Sequence, residues 1–67
     1  MEQLQQARDL AIGLGASITS NDVGFIACFD SSQKASGYAD DVNEIWADIT
    51  AEAQDSCAVV VTIASLM

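Results

Sequence analysis

YADDVNEIWADITAEAQD, at residues 38–55, is the stretch that decides the predicted fold. When successive residues are turned by about 100°, its apolar side chains gather on one side, which is the repeat of an amphipathic helix that faces a core. These side chains are Val42, Ile45, Trp46, Ile49 and Ala53. The sequence therefore predicts one continuous helix over residues 38–55.

A row of acidic side chains follows the apolar side of this predicted helix. The members are separated by steps of three or four residues, so a helix would align them within an arc of about 80°. The row consists of Asp41, Glu44, Asp48, Glu52 and Asp55. Each pair of like charges at this spacing costs a helix about 0.2–0.5 kcal/mol, and the stretch contains no Lys or Arg. The row therefore predicts a partner-binding surface. The alternative is a solvated face without a partner, as in a chain adapted to high salt.

Composition narrows the class of partner. The 67 residues predict one compact domain over residues 1–67, and the 51% hydrophobic content without any proline argues against disorder. Ten acidic residues oppose only Arg8 and Lys34, which gives a net charge of -8. Affinity for phosphate depends on Lys and Arg, so direct binding to nucleic acid or to a membrane is not expected. The predicted partner is a basic protein, steered by opposite charge.

The first part of the chain predicts a helix followed by a loop. Residues 1–16 carry apolar side chains at helical spacing. The helix is expected to end near Leu14, with Gly15 as its C-terminal cap. The polar residues 17–22 then predict a loop.

Strands are predicted on either side of the acidic helix. VGFIACF at residues 23–29 and AVVVTI at residues 58–63 are short runs rich in β-branched and aromatic side chains, and each is apolar on both faces. Both strands are therefore expected to be covered on both faces. DSSQKASG at residues 30–37 predicts a turn in which Ser36 is the N-cap of the acidic helix. A short strand at residues 33–36 is the alternative.

The expected fold class is α+β, a small single domain with the element order α-β-α-β. Its sheet has two strands, or three with the short extra strand, and two helices pack against it. The main strands are parallel through a right-handed crossover, or antiparallel if the extra strand intervenes. Because so small a sheet has exposed edges, edge pairing between two copies predicts a homodimer.

The residue types disfavour catalysis. The chain has no histidine, which removes the usual general base and the commonest transition-metal ligand. Cys28 and Cys57 fall within predicted apolar strands, which favours buried reduced thiols, with a disulfide as the minor alternative. The acids do not form a calcium-binding loop. GLG at residues 13–15 follows a predicted helix and not a strand, so it does not predict a phosphate-binding loop of a nucleotide site. The prediction is a non-enzymatic protein without a metal or cofactor.

Targeting signals give a further expectation. The N-terminus lacks a basic leader followed by an apolar core. The longest uncharged runs, residues 10–21 and 56–67, are shorter than the roughly 20 residues that a membrane-spanning helix needs. A cytoplasmic location is therefore predicted.

Two functions follow from these observations. In the first, a small acidic protein occupies the nucleic-acid-binding groove of a basic protein and presents its five aligned acids in place of phosphates. Phage-encoded inhibitors, including anti-CRISPR proteins and other nucleic-acid mimics, resemble this chain in size and charge. In the second, the order of elements over residues 23–65, with its DSSQ turn, is similar to the front part of roadblock-type dimerisation domains. That resemblance implies a dimerising scaffold subunit of a larger complex.

Overall fold

The computed structural model describes residues 2–63, which form two helices and one four-stranded sheet. The elements are α1 (Glu2–Gly13), β1 (Ser17–Ser20), β2 (Gly24–Cys28), α2 (Ser32–Ile45), β3 (Ile49–Gln54) and β4 (Cys57–Thr62). The sheet is antiparallel throughout, in the order β1-β2-β4-β3. The α+β class and the two helices are confirmed. The order α-β-α-β and the sheet of two or three strands are wrong, because each half of the chain contributes a hairpin.

The predicted helix over residues 38–55 is divided between a helix and a strand. α2 ends at Ile45, and the chain begins β3 at Ile49. In β3 the burial alternates, since Ile49 and Ala51 are buried whereas Glu52 is exposed, which is the period of a strand. Every residue of β3 has a partner in β4. This pairing outweighs the helical spacing, and Ile45, expected in the core, is 61% exposed.

α2 begins earlier than the sequence predicted, because its N-cap lies five residues before Ser36. The N-cap is Ser31, whose hydroxyl accepts a hydrogen bond from the backbone N–H of Lys34 at 3.3 Å. Such a bond satisfies one of the free amides of the first turn. Ser36 lies inside α2, so its predicted capping role and the alternative strand at residues 33–36 are both wrong.

The predicted loop at residues 17–22 contains a strand. β1 pairs with β2 through a tight turn in which Asn21 Oδ1 accepts from the amides of Val23 and Gly24, at 3.0 and 2.8 Å. Asparagine is favoured in such turns because its side chain replaces a backbone acceptor. The predicted end of α1 is confirmed, since Gly15 follows the helix with a φ of 88°, a conformation that suits glycine.

Both helices pack on the same face of the sheet. Their buried side chains join the buried side chains of β2, β3 and β4 in one cluster, which forms the core. The cluster contains Ala7, Ala11, Phe25, Ala27, Tyr38, Ala39, Val42, Ile49, Ala51, Ala58 and Val60. β2 and β4, the two predicted strands, lie at the centre of the sheet and pair antiparallel. Their core-facing residues alternate with residues that face the other way.

Gly24 and Gly37 provide a matched pair of substitutions. A Cβ added at Gly24 would overlap the carbonyl oxygen of Val60 and lie 2.9 Å from Val61 Cα, whereas one added at Gly37 would meet nothing within 4 Å. Gly24→Ala is expected to lower the free energy of unfolding by about 1–3 kcal/mol or more, because the backbone of β4 must move. Gly37→Ala should raise it by up to about 1 kcal/mol, because alanine favours helix.

Chemical unfolding of the two variants and the wild type would measure both changes. A Gly24→Ala variant as stable as the wild type would contradict the close approach of β2 to β4. Gly37→Ala is the control for the added methyl group, since it makes the same chemical change at an open position.

Candidate functional site

One face of the sheet remains uncovered by the helices. At its centre are the side chains that point away from the core on the two middle strands, here called the open face. The open face consists of Ile26, Cys28, Cys57, Val59 and Val61. These side chains are half-buried, and none belongs to the core cluster or packs against it. The expectation that β2 and β4 are covered on both faces is therefore wrong for residues 2–63.

The register of β2 and β4 brings the open-face residues into cross-strand pairs. Ile26 lies opposite Val59, and Cys28 lies opposite Cys57. The two cysteines form a disulfide, with their Cα atoms 4.0 Å apart. The prediction of reduced thiols is wrong, because the sequence did not reveal that these two positions are direct partners in an antiparallel ladder. The disulfide adds a further apolar group at one end of the open face, where β2 ends and β4 begins.

The border of the open face is mostly uncharged. On β1, Ser17 and Thr19 lie opposite Cys28 and Ile26, so hydroxyl groups flank one side. On β3, Glu52 lies opposite Val59 and is the only charged residue in the four strands. In a chain with a net charge of -8, a sheet face with a single carboxylate is unusual. The charge is carried by the helices and the loops.

The five predicted partner-binding acids do not form a row on one helix. Asp41 and Glu44 lie on α2, Asp48 lies in the loop after it, Glu52 is on β3, and Asp55 is in the turn before β4. All five side chains are exposed. The continuous acidic ridge on which the inhibitor hypothesis depended is therefore absent. Binding of a basic protein by these residues stays a prediction.

Asp48 has a local structural role. Its carboxylate accepts from Gln3 Nε2 at 3.0 Å, and its backbone N–H donates to Gln3 Oε1 at 3.1 Å. One turn along α1, Gln6 Oε1 accepts from Trp46 Nε1 at 3.0 Å. Two glutamines of α1 therefore hold the loop between α2 and β3. Asp48 positions this loop and is less free to bind a partner than an unpaired surface acid.

The free edge of β3 is partly occupied by a side chain. Asn43 Oδ1 accepts from the backbone N–H of Ala51 at 2.8 Å, and Asn43 Nδ2 donates to the carbonyl oxygen of Ala51 at 2.9 Å. The amide of Asn43 thus takes both backbone groups that a neighbouring strand would use at Ala51. Edge pairing between copies through β3 is therefore disfavoured. β1, at the opposite edge of the sheet, is the edge strand left for such pairing.

Among residues 2–63, no group of three or more His, Cys, Asp or Glu side chains could hold a metal ion. None of the helices in that range has the length and the apolar character needed to cross a membrane. Comparisons with known proteins found no family model, no curated protein and no solved structure that matches this chain.

Proposed function

We propose that this chain is a non-enzymatic assembly module that pairs with a second copy of itself through the open face of its sheet. The observation that supports this most directly is the row of apolar side chains at the centre of that face, opposite the helices. Burial of apolar surface contributes about 25 cal/mol per Å². A second sheet packed against Ile26, Val59 and Val61 would provide that burial.

Charge favours the open face over the other surfaces for self-association. Two copies with a net charge of -8 repel each other, and the acids on α1, α2 and the loops would increase this repulsion wherever those surfaces met. In the four strands only Glu52, at the border of the open face, is charged. Contact through it keeps most carboxylates of both copies in water, on the outer surfaces of the pair.

The size of the sheet is compatible with a dimer interface. A standard interface buries about 800 Å² on each partner, which is about one fifth of the 4172 Å² accessible surface of this chain. Face-to-face packing of two sheets is a common arrangement in which side chains of the two inner faces interdigitate. The uncovered face of a four-stranded sheet provides a surface suited to it.

The position of Glu52 selects the orientation of the two copies. A two-fold axis parallel to the strands would place β3 of one copy over β1 of the other, because the two strands lie at opposite edges. Glu52 would then meet the hydroxyl groups of Ser17 and Thr19. An axis across the strands would bring the two Glu52 carboxylates together, and like charges at an interface are costly.

The acidic helix layer would face outwards on both sides of such a dimer. Asp40, Asp41 and Glu44 are exposed on α2, and no ion pair joins them to a described residue. A basic protein, the partner class that the net charge predicts, would bind there and not on the open face. In this proposal the dimer is the scaffold, and its acidic outer surfaces recruit the partner.

Ile26→Lys tests the self-association. Ile26 lies opposite Thr19 and Val59, so a lysine there has no carboxylate as its cross-strand neighbour. Burial of the new ammonium group in a dimer costs several kcal/mol and should weaken the dimer by more than about 100-fold. Sedimentation at increasing concentration should give twice the 7.0 kDa chain mass for the wild type and the mass of one chain for the variant. The substitution changes the net charge from -8 to -7, so charge repulsion cannot explain the dissociation.

Ile12→Lys is the matched control for this experiment. Ile12 is 53% exposed on α1, in the helix layer, so the variant should remain dimeric. Circular dichroism would confirm that both variants keep the fold. A wild-type chain that stays monomeric at all soluble concentrations, or two variants that dissociate equally, would contradict the proposal.

A further inference from the structure

A second surface, separate from the open face, has the features of a small binding site. It is a cleft of about 460 Å³ between α1 and the turn that joins β1 to β2. Its lining includes Leu4, Arg8, Ser20, Asn21, Gly24 and Phe25. It is a largely open groove, so a ligand bound there would stay partly in water. The cleft opens on the side of the sheet where the helices lie, so a dimer formed through the open face would leave it accessible.

Arg8 is a cation with no ion-pair partner among the described side chains of an acidic chain. Lys34, the other cation, contacts Asp30 at 3.5 Å, whereas no described carboxylate lies within ion-pair distance of Arg8. Arg8 Nε is buried and has no hydrogen-bond partner among the described side chains. A buried polar group left without a partner costs about 1–3 kcal/mol, and more if it is charged. Nε is out of reach of a ligand, so an anion would be held by the two Nη groups of the guanidinium and would neutralise its charge.

The walls of the cleft supply further donors and an apolar surface. Asn21 lines the cleft, and because its Oδ1 is used by the amides of Val23 and Gly24, Nδ2 is the group of its side chain that would donate to a ligand. The Ser20 hydroxyl is exposed beside it. Leu4 provides an apolar wall, and none of the described residues that line the cleft is acidic.

We propose that this cleft binds a monoanionic carboxylate carried on a short apolar stem. A planar guanidinium group binds a carboxylate through two parallel hydrogen bonds, and the stem would contact Leu4. A phosphate dianion is disfavoured, because the cleft has one cation and the field of the -8 chain opposes each added negative charge. The carboxylate comes from a free short-chain acid or from the C-terminus of a peptide.

The test is a titration of the isotopically labelled full chain, followed by the backbone amide signals of Ser20, Asn21 and Gly24. The probes are butyrate, N-acetylvaline and inorganic phosphate, with butyramide as the neutral counterpart of butyrate. Butyrate or N-acetylvaline should produce saturable shifts of these three signals in the millimolar range, and butyramide should bind at least tenfold more weakly. Tighter binding of N-acetylvaline than of butyrate identifies a peptide C-terminus as the source, and the reverse order identifies a free acid.

Arg8→Gln and Lys34→Gln form a matched pair, because each removes one positive charge. Arg8→Gln should weaken carboxylate binding at least tenfold, and Lys34→Gln should leave it within about twofold of the wild type, since its effect is limited to the general field. Equal losses in both variants, equal binding of the acid and the amide, or phosphate binding as tight as butyrate binding would overturn the proposal. The comparison of butyrate with butyramide uses the wild type, so it remains decisive if Arg8→Gln fails to fold.

Discussion

Reduction of the disulfide between Cys28 and Cys57 is expected to lower the free energy of unfolding by about 3–4 kcal/mol. The bond joins residues 29 positions apart in sequence, so it restricts the unfolded chain over almost half of the protein. A domain of 67 residues has only a small core, and its total stability is of the order of 5 kcal/mol. Loss of the crosslink should therefore bring the protein close to unfolding at physiological temperature.

Urea unfolding with and without a thiol-free reductant would measure this effect. The double variant Cys28→Ala and Cys57→Ala should resemble the reduced wild type and show no response to the reductant. The same midpoint for the oxidised and the reduced wild type would contradict the crosslink, as would two titratable thiols in protein purified without reductant. Trp46, the only tryptophan, provides the fluorescence signal.

Tyr38→Ala is expected to cost about 3–5 kcal/mol, the range of large aromatic truncations in a core. Tyr38 is only 2% exposed, its ring lies 5.2 Å from that of Phe29, and its hydroxyl donates to the carbonyl oxygen of Ala7 at 2.5 Å. The side chain therefore joins α2 to α1 and to Phe29, the residue that follows β2. Gln33→Ala, on the exposed side of α2, is the control and should stay within about 0.5 kcal/mol of the wild type.

Alkaline titration separates the contribution of the Tyr38 hydroxyl to stability from the contribution of its ring. Burial raises the pKa of Tyr38 above its ordinary value of 10.0, so the folded protein keeps a proton that the unfolded chain loses. This contribution to stability is complete below pH 10.0 and is lost progressively as the pH rises above it. Tyr38→Phe should cost about 1 kcal/mol at neutral pH and should remove this alkaline decline. An equal decline in Tyr38→Phe would contradict the assignment, because the chain has no other tyrosine.

The central strands and the start of the chain were predictable from local sequence. β2 and β4 are dense in β-branched and aromatic residues, and turn-forming residues precede both strands, so local propensity and tertiary pairing agree. Gly15 marked the end of α1, because the backbone there adopts a φ of 88°, which suits glycine. Local signals suffice where the backbone itself demands a residue type.

The division of residues 38–55 was not predictable from spacing. Val42, Ile49 and Ala53 fit a helical repeat, and Ile49, Ala51 and Ala53 also fit the alternation of a strand. Pairing with β4 decides between the two, and that pairing joins segments whose register the sequence does not reveal. Asp55 adopts a φ of 56° in the turn between β3 and β4, where glycine or asparagine would have been the usual signal.

The candidate site was hidden by the composition of β4. Val59, Val60 and Val61 are all apolar, so the alternation that separates a core face from an open face does not appear in the sequence. Only the position of the helices distinguishes Val60, which is fully buried, from its half-buried neighbours. The disulfide was hidden for a related reason, since a cross-strand pair depends on register and not on sequence spacing.

The bidentate contact of Asn43 with Ala51 limits how far sheets of this protein can extend. Open-ended stacking of strands into a fibril needs two receptive edges on every molecule, one to add to and one to be added to. Within residues 2–63, β3 has lost the backbone groups of Ala51 to a side chain, which leaves β1 as the receptive edge. A molecule with one such edge can form a closed pair through that edge. It cannot add further copies, so a continuous filament does not form.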